Sequence, residues 1–422
     1  MQLPVDFSAH TRQIMGASRF EQFMAAFDDE PPVSIRLNPL KWPLLPEGDT
    51  VPWCPLGLYL DRRPNFTFDP LLHAGCYYVQ EAASMFVHHV VSTHGTGSLT
   101  AALDLCAAPG GKSTALRAVL PDDCLLLSNE PVRQRAQVLS ENIQKWGHRN
   151  SMVSNNYPRD IRRAGLVFDL IACDVPCSGE GMFRRDPETI GEWSLAAVKR
   201  CRDLQREIVA EAWQCLRPGG LFIYSTCTYN IYEDEENVAW MQQELGAEVV
   251  EVPIGDTWGI TGSLLAGLNA PVYRFIPGIT RSEGLFVAVM RKGGDGSVDQ
   301  RRNMRALQGL NIIFPAPDRH DSHSAGRGET KKDAATTGNI PTVELSYDQA
   351  ISYLRRQAIV LSPEAPRGLI RVCFQGHPLG LVKNIGSRAN NLYPKEWAIK
   401  TTHVPTAYQP VITGAHTSAA SC

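Results

Sequence analysis

Two cysteines stand where a thiol could react rather than merely pack. Cys177 lies in Asp174-Val175-Pro176-Cys177-Ser178-Gly179-Glu180-Gly181 and Cys227 in Ser225-Thr226-Cys227-Thr228-Tyr229. Both are surrounded by the small and polar residues of turns, whereas an inert cysteine is usually embedded in apolar sequence. Cys173, Cys201 and Cys215 fit that second description and are read as packing. A third stretch, Asp104-Leu105-Cys106-Ala107-Ala108-Pro109-Gly110-Gly111-Lys112-Ser113, joins an apolar run to a helical one. Its glycines let a ligand approach the backbone, and free N–H groups at a helix start favour an anion. Gly111-Lys112-Ser113 looks like the end of a phosphate-binding loop, but that motif needs a glycine at position 106, where Cys106 stands. The G-x-G-x-x-G of a dinucleotide site is also missing. What remains, from Cys106 through Ala107, Ala108, Pro109, Gly110 and Gly111 to Lys112, suits a carboxylate such as the methionine end of S-adenosylmethionine.

These residues need strand ends to hold them, and the pattern from Ala74 onward supplies strands alternating with helices. Strands are expected over Leu99–Leu105, Cys124–Ser128, Phe168–Cys173 and Leu221–Ser225, the last entered through the turn Arg217-Pro218-Gly219-Gly220. Helices are expected over Lys112–Leu120, Val132–Trp146 and Leu195–Leu216. Such alternation predicts an α/β fold, a Rossmann-like parallel sheet with helices on both faces and ligands at the carboxyl ends of the strands. Each stretch named above falls at such an end. Glu130 follows the second strand, where an acid can take both hydroxyls of a ribose, although an acid there is also ordinary helix-start chemistry. Asn156, before the third strand, is a candidate adenine contact, set against the usual turn role of Asn.

Outside this region the chain divides. Residues 1–73 read as an α+β subdomain: Phe7, Ile14, Met15, Phe20, Phe23, Met24 and Phe27 recur at mostly helical spacing, and Val33-Ser34-Ile35-Arg36-Leu37-Asn38 looks like a strand. The α/β unit spans 74–293. Residues 294–340, rich in Gly, Ser, Asp, Arg, Lys and Thr, read as a flexible linker. A strand-rich unit covers 341–410, with Gly368–Phe374 and Leu379–Val382 flanking Gly376-His377-Pro378, and 411–422 is a loose tail.

The 422 residues carry 41 Lys and Arg against 44 Asp and Glu, so there is no global basic footprint. From Ile351 to Lys400, however, eight Lys or Arg face two acids, which is either a solvated face or a patch for a polyanion. No run of eighteen apolar residues occurs and the N-terminus has no leader pattern, which predicts a soluble cytoplasmic chain without a membrane partner. Eleven cysteines without a C-x-x-C pair suggest neither a disulfide framework nor a metal site.

At these residues the chain resembles the Sun-type RNA cytosine-5 methyltransferases, and within them the bacterial 16S ribosomal RNA branch called RsmF. Besides the loop and the two cysteine motifs, Arg36-Leu37-Asn38-Pro39-Leu40-Lys41, Tyr78-Val79-Gln80-Glu81-Ala82-Ala83-Ser84-Met85, Met182-Phe183-Arg184-Arg185-Asp186 and Glu283-Gly284-Leu285-Phe286 fit the pattern. Beyond the linker, Leu379-Gly380-Leu381-Val382-Lys383 and Asn391-Leu392-Tyr393-Pro394 resemble the branch's PUA-like RNA-binding unit. Two positions depart from it: Asn156 stands where many relatives have Asp, and Gly278 where a His often follows Pro277.

The resemblance implies an S-adenosylmethionine-dependent enzyme acting as a monomer on RNA. Cys227 would add to carbon 6 of cytosine, because carbon 5 is otherwise too weak a nucleophile to take a methyl group. Asp174, near the cofactor, would serve as the acid that stabilises the adduct. Cys177 would release the methylated product, and the charge of Lys112 would favour the thiolate. Arg36, Arg184, Arg185 and Lys383 would line an RNA track. Folded 16S ribosomal RNA is the first substrate expected and transfer RNA the second. DNA ranks third, since DNA cytosine-5 enzymes use a Pro-Cys cysteine like Cys177. A non-catalytic RNA-binding assembly factor is the reading from another class; it predicts damage to the loop or to Cys227, and none is visible.

Overall fold

The computed structural model describes residues 3–45, 47–95, 97, 99–314, 340–401, 403–405 and 407–413. Three sheets organise them. The first is antiparallel, with β1 (Val33–Leu37) between β2 (Gly57–Leu60) and β3 (Tyr77–Val79). Since β3 lies beyond residue 73, the N-terminal sheet is completed by chain that the sequence assigned to the next unit.

The central sheet contains β4 (Ala101–Asp104), β5 (Leu125–Asn129), β6 (Ser151–Ser154), β7 (Phe168–Asp174), β8 (Leu216–Thr226), β9 (Ala247–Val249), β10 (Val272–Phe275), β11 (Leu285–Lys292) and β12 (Ile312–Phe314). Its order is β10-β11-β8-β7-β4-β5-β6-β12, with β9 also on β11. Strands β4 to β8 pair in parallel and the others join antiparallel. Both faces are apolar, so successive residues feed opposite cores: Leu126 belongs to the core that contains Phe86, Val90 and Leu116, whereas Leu127 belongs to the one that contains Val209, Trp213 and Met241. This double burial is why the strands read as continuous apolar runs rather than alternating ones. Helix Arg133–Trp146 buries Ala136, Leu139, Ser140, Ile143 and Trp146 at 3–4 residue spacing and stops at the left-handed Gly147. Ser194 caps helix Leu195–Cys215 by accepting from the Ala197 N–H.

The segment read as a flexible linker is ordered at its start. Asp299 caps helix Gln300–Ala306, the Asn303 side chain bonds both the N–H (3.0 Å) and C=O (2.6 Å) of Val167, and β12 adds to the edge at β6. A few well-placed contacts outweigh a polar composition there. The more biased stretch 315–339 lies outside the described residues, as does 414–422, although Ile412 at the start of the expected tail is buried.

The third sheet, β13 (Thr342–Glu344), β14 (Gly368–Phe374), β15 (His377–Asn384) and β16 (Ala389–Asn391), packs with helix Tyr347–Leu354. It shares a core with the first sheet, where Ile35, Leu37 and Trp42 meet Ile351, Ile370 and Tyr393. Tyr347 and Tyr408 donate to Phe68 O (3.1 Å) and Asp69 Oδ1 (3.3 Å) across that junction. No described helix is long and apolar enough to cross a membrane.

Arg36 corrects one expectation. Rather than facing RNA, its side chain is 0% exposed, donating to Gln80 Oε1 (2.7 Å), Thr114 Oγ1 (2.6 Å) and the carbonyls of Thr114 and Gly111 (3.2 and 3.3 Å). Its guanidinium lies 4.7 Å over the Trp146 ring. Burial lowers its pKa to about 10, so it stays charged at neutral pH. It ties the N-terminal sheet to the helix that follows the glycine loop. Arg36→Ala would strand those buried acceptors and is expected to cost on the order of 3 kcal/mol, read by denaturant unfolding. Unchanged stability with weakened RNA binding would contradict this assignment.

Candidate active site

Strands β7 and β8 run side by side with Asp174 opposite Ser225, so the chains leaving them stay adjacent. The Val175 N–H donates to Ser225 O (3.0 Å) and the Gly181 N–H to Cys227 O (2.7 Å). A Cβ at position 181 would stand 2.8 Å from that carbonyl, which is why this turn needs glycine. The result is that Cys177 and Cys227, fifty residues apart, bring their sulfurs to 3.2 Å, both half-buried. The hydrogen bond to Cys227, burial and the nearby Glu233 push the Cys177 thiol well above its ordinary pKa. It therefore keeps its proton at neutral pH.

The N-terminal helices Val5–Met15 and Ala17–Ala25 support both turns. Phe23 meets Tyr229 at 4.9 Å between ring centres, and Phe7 meets Phe183 and Trp193 at 5.2 and 5.4 Å. The sequence showed the apolar stripe of these helices, and its target is the wall behind the two thiols.

Beside the sulfurs, Lys112 Nζ sits 2.8 Å from Asp174 Oδ2, and Ser225 Oγ donates to Asp174 Oδ1 at 2.7 Å. Burial disfavours the charge on Lys112, but Asp174, Cys227 and Asp104 outweigh it and hold the pKa above the usual lysine value. The ammonium is thus held in its charged form against the Asp174 carboxylate.

The glycine loop is pinned from two sides. Ala107 N–H donates to Asn129 O (2.9 Å), Asn142 Nδ2 to Pro109 O (2.8 Å) and Arg135 Nη2 to Ala108 O (3.2 Å). Gly110, at φ 113°, makes the left-handed turn into helix Gly111–Arg117. Cys106 is half-buried in this loop beside Cys173, whose thiol is pushed well above its ordinary pKa by the Cys106 thiol and by burial.

Sequence reasoning missed Asp104. One carboxylate oxygen accepts from Ser113 Oγ (2.6 Å), while Oδ1 is buried with no partner. Burial, aided by Asp174 and Glu130 against the Ser113 bond and Lys112, pushes its pKa up to about 7. The available signal was an acid at the tip of the apolar run Ala101-Ala102-Leu103. Such an orphaned acceptor beside a glycine turn fits a ligand carrying an ammonium group.

Glu130 is buried at the end of β5, one oxygen taking the Val132 N–H (3.0 Å) and the other 3.6 Å from Arg135. Asn156 is committed elsewhere: its side chain accepts the Asn311 N–H (3.1 Å) and donates to Asn311 O (3.2 Å). It pins the segment entering β12, which does not favour the expected adenine contact. Arg184 is also not free for RNA, being 6% exposed with Nη1 3.4 Å from Glu283 and Nη2 on Asp29 O. Arg185 and Lys383 are exposed, the latter on the third sheet.

Known proteins match this arrangement along most of the chain. Residues 98–291 match the family described as 16S rRNA methyltransferase RsmB/F, residues 3–82 the N-terminal domain of 16S rRNA methyltransferase RsmF, and residues 340–399 the methyltransferase RsmF PUA domain. Ribosomal RNA small subunit methyltransferase F of Shigella boydii serotype 18 is 29% identical over 93% of this chain and 96% of its own length. Its counterpart in Escherichia coli O81 is 28% identical over the same shares. Among solved structures, NSun6 from Pyrococcus horikoshii with SFG aligns at TM-score 0.58 and 22% identity, covering 69% of this chain and 99% of that one. A methyltransferase homolog from Pyrococcus horikoshii aligns at 0.56 and 25%, covering 68% and 94%. The Rossmann-like sheet, the N-terminal domain and the PUA domain thus all find their match in one group, and the chain belongs to the RsmB/F family of 16S ribosomal RNA methyltransferases.

Proposed function

We propose that this protein methylates carbon 5 of a cytosine in 16S ribosomal RNA, with Cys227 as the nucleophile. The observation that carries the reading is the pair of sulfurs 3.2 Å apart at neighbouring strand tips, beside the Lys112–Asp174 ion pair. Cys227 adds to carbon 6, which turns carbon 5 into an enamine-like nucleophile. Negative charge that develops on the ring is met by a proton delivered to its nitrogen from Asp174, which takes it up from the Cys227 thiol as the sulfur adds. Cys177 then passes its own proton to the departing Cys227 sulfur, its neighbour at 3.2 Å, and takes the hydrogen of carbon 5 as a proton, while the ring nitrogen returns its proton to Asp174 and the bond from Cys227 to carbon 6 breaks. An enzyme working at a ring carbon needs its base out of the stack, and the unpaired bases of folded RNA offer that.

S-adenosylmethionine supplies the electrophilic methyl group when bound. The residues fit it: the loop 106–112 would hold its carboxylate, Asp104 its ammonium and Glu130 its ribose. SFG, an analogue of this cofactor, is bound in the archaeal NSun6 structure. Asp104 gives this reading a pH signature. A bound cation favours the ionised carboxylate, whose pKa in the free protein is about 7. Affinity for S-adenosylmethionine should therefore fall by about tenfold per pH unit below 7 and level off above it. Asp104→Asn should weaken binding and flatten that profile in calorimetric titrations between pH 5.5 and 8.5. A wild-type profile that is already flat would remove Asp104 from the site.

The reaction itself is tested by incubating the protein with methyl-labelled cofactor and either 16S RNA or small subunits, then digesting to nucleosides. Label is expected in 5-methylcytidine. Label in any other nucleoside would refute the assignment.

A further inference from the structure

Two carboxylates that this chemistry does not use are buried between the cysteine turns. Glu180 accepts from the N–H groups of Tyr229 (2.7 Å) and Asn230 (3.1 Å), just past Cys227, and from Trp193 Nε1 (2.9 Å). Glu233, 0% exposed, accepts from the Ser178 N–H (3.0 Å) and Oγ (2.5 Å), and so grips the residue that follows Cys177. Gln205 Nε2 also donates to Glu233 (2.7 Å), and Asn230 Nδ2 bridges the two acids, 3.0 Å from Glu180 and 2.9 Å from Glu233. Every one of these neighbours is a donor.

Burying two acids close together is costly, and it raises the Glu233 pKa to about 7, with burial the larger cause and Glu180 next. A packed apolar core could fill the same space without that penalty. What the carboxylate secures that an apolar residue would not is the main chain of Ser178, held from both its N–H and its hydroxyl.

We propose that Glu233 is a positioning residue for Cys177, fixing the Cys177-Ser178 turn so that this thiol stays against Cys227 and over the same ring. This rests on the proposed role of Cys177 in releasing product. Glu233 therefore governs release, leaving addition by Cys227 and cofactor binding in place. Glutamine at 233 would set an amide NH2 against donors, while aspartate keeps the charge with a shorter reach.

The test compares wild type, Glu233→Gln, Glu233→Asp, Ser178→Ala and Cys177→Ala in single-turnover reactions with labelled cofactor and 16S RNA, following both covalent complex and free methylated RNA. Glu233→Gln should form the complex at near the wild-type rate and release RNA about 10- to 100-fold more slowly, the scale of a reacting group displaced by up to an ångström. Glu233→Asp should recover part of that loss. Ser178→Ala, which removes one hydrogen bond and keeps the fold, should slow release several-fold and covers the case in which Glu233→Gln does not fold. Release at the wild-type rate in Glu233→Gln or Ser178→Ala, or equal loss of formation and release, would overturn the proposal. Failure of Cys177→Ala to trap complex would instead overturn the role of Cys177 itself.

Discussion

Cys227→Ala protein is expected to yield neither methylated RNA nor a covalent complex, with turnover down by roughly 10⁴-fold or more, the scale of losing a covalent nucleophile. Cys177→Ala is expected to do the reverse of a silent variant: it should form the complex and fail to resolve it, so that protein migrates with RNA on a denaturing gel. The asymmetry follows from the sulfurs' surroundings. Cys177 keeps its proton through its bond to Cys227 and its burial near Glu233, whereas Cys227 stands at the tip of the strand whose Ser225 holds Asp174, the partner of the Lys112 ammonium. Complex accumulating in Cys227→Ala and not in Cys177→Ala would exchange the two roles.

Asp174→Asn is expected to lower turnover by about 10²- to 10⁴-fold, the range for a lost general acid. The variant keeps the shape of the side chain and can still accept from Ser225, but it cannot carry a proton to the ring, and it dissolves the 2.8 Å pair with Lys112. Because the Asp104 environment also contains Asp174, removing that charge should shift the Asp104 pKa downward. Cofactor binding should then hold to lower pH than in wild type. A turnover within threefold of wild type, measured with saturating RNA and cofactor, would take Asp174 out of the proton path.

Much of the candidate site was legible because its residue types contradict their surroundings. Cysteines amid Gly, Pro and Ser, and glycines beside Lys112, are poor choices for packing, and all fall at strand tips of the sheet. Charged side chains were harder to place. Arg36 and Arg184 look like surface cations in sequence, and nothing local reveals that carbonyls 44 to 155 residues away bury them. Asp104 was missed for the opposite reason: it reads as the end of a strand, and only its unpartnered oxygen marks it.

The fold shows the same division between local and distant information. Helix Arg133–Trp146 carries its own periodicity and its own glycine stop, and its expected span agrees with the structure to within a residue. Strand β6 is only Ser151–Ser154, too short for a periodic signal, and β12 exists because it finds an open edge beside β6. The union of the first and third sheets into one core likewise depends on partners nearly three hundred residues apart, such as Phe68 and Tyr347.

The central claim is that the Cys227 sulfur bonds to the substrate base. Wild-type protein incubated with cofactor and RNA containing 5-fluorocytidine should become trapped, because fluorine at carbon 5 cannot leave as a cation the way hydrogen leaves as a proton. Peptide mass spectrometry of the trapped complex should then find the methylated nucleotide on Cys227. Its attachment to Cys177, or the absence of any protein-bound nucleotide while methylation of ordinary RNA proceeds, would contradict the account.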